Sequence, residues 1–202
     1  LSLCSGDSVI TSIQEIKNTF LHHFKGILAP KKAQAVFGLP VGFLSTLSHH
    51  NSSLLVNLFS EHEVYEALKD SDPNKAPGPD GMNAGVLKAL WDTIKIDVMQ
   101  FFQDFYDLKQ VPKGYNSSFI ALIPKKINAS LPGDYRPISL MNSAMKLLTK
   151  VLSRRLKLVM PMVVSEVQSA FIRGRQITDS IMLANEVVSA LQDGKSKGCL
   201  LY

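Results

Sequence analysis

Four short segments carry the residues whose types and spacing suit chemistry, and in each the reactive groups are mainly cations. Lys75-Ala-Pro-Gly-Pro-Asp-Gly81 is a rigid, glycine-punctuated loop. Lys125 and Lys126 close a short apolar run, and Arg136 lies beyond a polar turn, so strand pairing would gather all three on one arm. Lys146, Lys150, Arg154 and Lys157 recur at i, i+4, i+8 and i+11, which on a helix puts them within an arc of about 80°. Gln168-Ser-Ala-Phe-Ile-Arg-Gly-Arg175 joins an aromatic ring to two guanidinium groups. Arginine grips phosphate in a bidentate fork and lysine acts as a point charge. A basic stripe suits a nucleic-acid backbone, and Phe171 suits stacking on a base. Bland readings stand beside these: an inter-helix turn, a solvated hairpin tip, a surface helix with snorkelling lysines, and a core phenylalanine.

Other chemistries find little support. There is no phosphate-cradling glycine loop of either common type, no G-x-S-x-G elbow and no H-E-x-x-H metal motif. His22/His23 and His49/His50 are adjacent pairs, whose members point apart on a helix, and His62 stands alone. Cys4 and Cys199, at opposite ends, make neither a disulfide scaffold nor a cysteine zinc site. No Asp-Asp pair occurs.

The elements that must position the four segments can be read in outline. Ile13, Ile16, Phe20, Phe24 and Ile27 mark an amphipathic helix within residues 9–28. Residues 29–59 read as a loose connector, and Ser60-Glu-His-Glu63 is a capping box opening a helix to about Lys69. Asp72 to Gly81 must be loop. Asn83 to about Lys109 reads as a helix pair or one bent helix, with Val86, Leu90, Trp91, Ile94, Val98, Phe101 and Phe105 inward. Phe119–Pro124 and Asp134–Leu140 form an antiparallel hairpin. Asn142 caps a helix to about Met160, which Pro161 ends. A last helix runs from Thr178 or Asp179 to a glycine cap near Gly194, and Leu200–Tyr202 begins a strand.

The chain has 202 residues with 22 Lys plus Arg against 17 Asp plus Glu, a net charge of +5. With 46% hydrophobic and 19% charged residues it can bury a core. Its longest apolar runs, such as Val159–Val164, fall far short of the roughly 20 residues of a membrane span. No basic region followed by an apolar stretch opens the chain, so the Asn51, Asn116 and Asn128 sequons are read as chance in an intracellular-type protein. Starting at Leu1 and stopping inside an apolar run, it reads as a fragment.

In their order, Asn74-Lys-Ala-Pro-Gly-Pro-Asp-Gly81, Phe119-Ile-Ala-Leu-Ile-Pro-Lys-Lys126, Asp134-Tyr-Arg-Pro-Ile-Ser-Leu140 and Gln168 through Asp179 resemble the reverse transcriptases of non-LTR retrotransposons. The wording is most similar to plant elements of the long-interspersed type. The resemblance covers residues 54–202, with 1–53 as a connector carrying the amphipathic helix.

It implies an α+β fold: the helix-rich fingers of a right-hand polymerase, with an antiparallel hairpin and an incomplete palm sheet. It further implies that Lys125, with Lys126 as alternate, and Arg136 hold the incoming dNTP. Lys75, Pro79 and Asp80 of the loop and Gln168, Phe171, Arg173 and Arg175 would lie against an RNA template and DNA primer, joined by Lys146, Lys150, Arg154 and Lys157 of the basic helix. The family's Mg²⁺ needs carboxylates beyond Tyr202, so this fragment is expected to bind no metal and to copy nothing alone. The family's need for chromosomal DNA implies a nuclear location. A non-catalytic nucleic-acid-binding module and an inactive element remnant remain the alternatives.

Overall fold

The computed structural model describes residues 3–5, 8–29, 46–165 and 168–192. Two three-residue strands, β1 (Leu3–Ser5) and β2 (Ser8–Ile10), pair antiparallel before helix α1 (Ile13–Leu28). Then come α2 (His49–Val56), α3 (Glu61–Lys69), α4 (Ala84–Ala89) and α5 (Trp91–Leu108). The hairpin strands β3 (Ser118–Pro124) and β4 (Tyr135–Met141) lead into α6 (Ser143–Val163), and α7 spans Ile177–Gln192. The fold is helix-rich α+β, as the residues imply. The Gly194 cap and the Leu200–Tyr202 strand lie outside the described residues, as does part of the connector.

The chain divides into two compact units, one of residues 1–38 and 68–147, the other of 39–67 and 148–202. In the first, α1 buries Ile16, Phe20 and Phe24 with Leu3 and with Tyr135 of β4. The Phe20 and Tyr135 rings meet edge-on at 5.1 Å, a favoured aromatic geometry. The Tyr135 hydroxyl is satisfied by the Ala129 carbonyl at 3.0 Å. Further along, Leu87, Trp91, Phe101 and Phe102 are buried. Val86 and Leu90, expected inward, are exposed at 39% and 47%. The chain breaks at Leu90 into α4 and α5, and Leu87, four residues before Trp91 and so in line with the stripe of α5, is buried in place of Val86.

In the second unit Val64, Ala67, Leu148, Val151 and Val159 are buried. The connector is less loose than its composition suggests, because Ser48 accepts a bond from the Asn51 amide and opens α2. Ser60 does the same for α3, accepting from the Glu63 amide at 3.2 Å. Pro161 does not end α6, which runs on to Val163. A proline in the last turn deletes only its own N–H bond, and the Val164 amide still reaches the Met160 carbonyl.

Candidate nucleotide and nucleic-acid interface

The hairpin register pairs Ile123 with Arg136 and Pro124 with Tyr135. Alternation then sets Phe119, Ala121, Ile123, Arg136 and Ile138 on one face, and Ile120, Leu122 and Tyr135 on the face toward α1. Ile120 and Leu122 help line an apolar groove of about 1040 Å³ with α1, so that side offers nothing to a phosphate. Arg136 sits on the other face, exposed, its backbone in the β3–β4 ladder and its guanidinium making no hydrogen bond or ion pair with the described residues. Lys125 follows β3 directly; its amide donates to the Asp134 carbonyl at 2.8 Å and its Nζ to the Gly133 carbonyl at 2.7 Å. Lys126 is drawn aside, its Nζ 2.9 Å from Asp134 Oδ1. That bond, with amide bonds from Leu131 and Ser130, outweighs desolvation and holds the Asp134 carboxyl below the usual aspartate range. Of the two lysines, Lys125 is therefore the one not spent on a carboxylate.

The loop from Lys75 to Gly81 is built as a clamp. Gly78 to Gly81 closes a turn, with the Gly81 amide 3.0 Å from the Gly78 carbonyl and Pro79 at the position that favours its fixed φ. Gly81 has φ +68°, which glycine adopts without strain. At Gly78 a Cβ would collide with the Met141 carbonyl and the Asn142 nitrogen, so glycine alone allows this approach. Asp80 Oδ2 accepts from the Ser143 amide and hydroxyl at 2.5 and 2.6 Å, and its Oδ1 accepts from the Met82 amide at 3.2 Å. Partial burial pushes the Asp80 carboxyl up, but the Ser143 bonds, the Met82 amide and the charge of Lys146 bring it below its ordinary value.

Asn142 was expected to cap α6. Its side chain instead accepts from the Asp80 amide and donates to the Gly114 and Tyr115 carbonyls, while Asp80 supplies the cap. Lys146 Nζ donates to the Ala76 carbonyl at 2.7 Å, tying the loop to the first turn of α6. Lys75 and Pro79 are exposed on this loop.

The basic stripe of α6 is divided. Lys146 serves the loop, Lys150 and Arg154 are half-buried with partners in the fold, and Lys157 is exposed. Between them in sequence lies Arg155, which residue types alone did not single out. It is 7% exposed and grips Glu63 with two bonds of 2.7 Å. It also donates to the Leu55, Asn57 and Leu58 carbonyls and stacks 4.3 Å from the Phe59 ring centre. Lys88 was also unmarked; its Nζ donates to the Lys69 and Ser71 carbonyls at the end of α3. The only sequence hint for Arg155 is that it falls off the stripe, toward the buried face.

In the fourth segment the two arginines differ. Arg175 donates to the Pro161, Val164, Ser165 and Gln168 carbonyls, neutralising the carbonyl end of α6. Arg173 is exposed. Phe171 is fully solvent-exposed with φ +64°, a left-handed conformation that costs an L-residue about 1–2 kcal/mol. Its neighbour Ile172 is buried. Gln168 is exposed, and its side-chain amide reaches the Ala170 carbonyl at 3.4 Å. Among the described residues no three His, Cys, Asp or Glu side chains come together to hold a metal, and no helix is long and apolar enough to cross a membrane.

No family model matches the chain. It is 29% identical over 151 residues to the transposon TX1 uncharacterized 149 kDa protein of Xenopus laevis, an alignment covering 75% of this chain and 11% of that protein. It is 27% identical over 121 residues to the retrovirus-related Pol polyprotein from type-1 retrotransposable element R1 of Bradysia coprophila, covering 58% and 12%. Over 199 residues it is 25% identical to the probable RNA-directed DNA polymerase from transposon BS of Drosophila melanogaster, covering 94% and 21%. The chain thus spans between 11 and 21% of the length of these relatives.

Proposed function

Homologous as the chain is to proteins of non-LTR retrotransposons, we propose that it is the nucleotide- and template-holding part of an RNA-directed DNA polymerase. In this reading it forms the fingers of a right-hand polymerase. The observation that carries it is Arg136: an exposed guanidinium on a strand face, unengaged by the described residues, beside Lys125 at the strand end. A paired strand fixes the guanidinium's base while leaving its donors available, which is what bidentate capture of a triphosphate needs.

Lys75, Arg173 and Lys157 supply exposed charge for template and primer phosphates, and Phe171 supplies a ring for stacking. Arg175 and Asp80 hold the framework. Mg²⁺ accompanies the nucleotide in the whole polymerase; the described residues offer it no ligand set, and the role assigned to them is binding and orientation.

The test is a titration of the chain with a fluorescent dNTP. Arg136→Ala should weaken binding about ten-fold or more, since a hydrogen bond to a charged group contributes about 1.5–3 kcal/mol. In a polymerase carrying this segment, the same change should raise the dNTP concentration needed to extend a primed RNA. An alanine variant that binds dNTP as well as the parent removes the assignment. RNA binding without any dNTP binding would instead mark a nucleic-acid-binding module.

A further inference from the structure

We infer that Asp80 is a positioning residue: its carboxylate, locked onto the start of α6, sets the direction in which β4 presents Arg136. This rests on the reading of Arg136 as a triphosphate ligand. β4 ends at Met141 and α6 begins at Ser143, so a single residue, Asn142, joins strand to helix. All three of these residues are held by the Gly78–Gly81 turn. Gly78 packs against the Met141 and Asn142 backbone, the Asp80 amide donates to Asn142 Oδ1, and the Asp80 carboxylate takes both donors of Ser143. Asn142 extends the grip to the Gly114 and Tyr115 carbonyls, just ahead of β3.

The strand that carries Arg136 is therefore fixed at this corner at one end, and by Tyr135 packed on α1 at the other. From Arg136 to Asn142 an extended chain reaches about 20 Å, so a tilt of about 5° at the corner moves the guanidinium by about 2 Å. Misplacement of about 1 Å at a reacting or binding group can cost two orders of magnitude. In Asp80→Asn the side chain keeps its shape. Its NH₂ group, however, cannot accept: turned toward Ser143 it opposes two donors, and turned away it loses the Met82 amide.

The experiment measures dNTP affinity for the parent, Asp80→Asn, Arg136→Ala and the double variant, with hydrogen exchange at Ser143. Asp80→Asn should weaken dNTP binding about five-fold or more and speed exchange at Ser143. In the Arg136→Ala background it should change dNTP affinity little, because a residue acting through Arg136 has nothing left to position.

No dNTP binding by the parent chain overturns the function reading and this inference with it. Parent binding with an unaffected Asp80→Asn overturns the inference alone, as does an Asp80→Asn effect that adds fully to Arg136→Ala. Should Asp80→Asn fail to fold by circular dichroism, Ser143→Ala replaces it. That variant removes one donor and keeps the amide; about a two-fold loss, absent in the Arg136→Ala background, supports the inference, and no loss overturns it.

Discussion

Cations in this protein divide by what surrounds them. Arg155 has a carboxylate, three carbonyls and an aromatic face, and Arg175 has four carbonyls, whereas Arg136 has none of these among the described residues. Removing Arg155 leaves Glu63 and several carbonyls without their donor, so Arg155→Met should cost about 3–5 kcal/mol in urea unfolding. Arg136→Ala should stay within about 0.5 kcal/mol, because an exposed side chain with no partner among the described residues holds little up. Comparable losses in the two variants would show that Arg136 is structural. Phe171 makes a contrast of opposite sign. Phe171→Gly relieves a left-handed φ and should stabilise by about 0.5–1 kcal/mol after glycine's own entropic cost. The same change should weaken binding of unstructured RNA by about 1–3 kcal/mol if the ring stacks on a base. Loss of stability on this substitution would mean that the ring packs within the fold.

Among the elements, the β3–β4 hairpin and α1 are legible in the residues, because a short apolar, β-branched run before a polar turn with Pro132 and Gly133 and an i, i+3/i+4 apolar stripe are local signals. β1 and β2 are not, since three-residue strands have too few positions to show a period. The start of α6 after Asn142 is legible too, but the side-chain acceptor that caps its first amide is not, since it arrives from Asp80, 63 positions from Ser143. The same distance hid the clamp role of the Pro-Gly-Pro-Asp-Gly loop, which by sequence reads as a rigid loop or an inter-helix turn and, by resemblance, as a surface for template. Arg136 was nominated and Arg155 was not, because the burial of Arg155 depends on partners contributed by α3 and its approach. Acid tests the clamp. Asp80 and Asp134 both titrate below the ordinary aspartate value, so each stabilises the fold above that value. Their contributions fade as pH falls through the depressed values. Stability should therefore hold from neutral to mildly acidic pH and drop once pH passes below the ordinary aspartate range, with a shallower drop in Asp80→Asn. An equal slope in parent and variant, measured by denaturant midpoint against pH, would show that the carboxylate does not serve as the latch.

For the molecule as a whole, the net charge of +5 does not say which cations a nucleic acid would meet, because several are already engaged within the fold. Lys146, Arg155 and Arg175 are committed to carbonyls or a carboxylate, and Lys126 to Asp134. Of the cations assigned to template and primer phosphates, Lys75 is exposed in the first unit and Lys157 and Arg173 in the second. Each single-strand phosphate neutralised adds about 0.7 to the magnitude of the salt slope of binding, so these three cations account for a slope of about −2. Lys157→Ala with Arg173→Ala should reduce its magnitude by about 1.4 while leaving the first unit's dNTP binding intact. The measurement is RNA affinity by fluorescence anisotropy across a series of salt concentrations. Salt-insensitive binding would exclude a backbone contact. A slope unchanged by the double substitution would confine the nucleic acid to other cations, and the second unit would then lose its assigned part in holding the template.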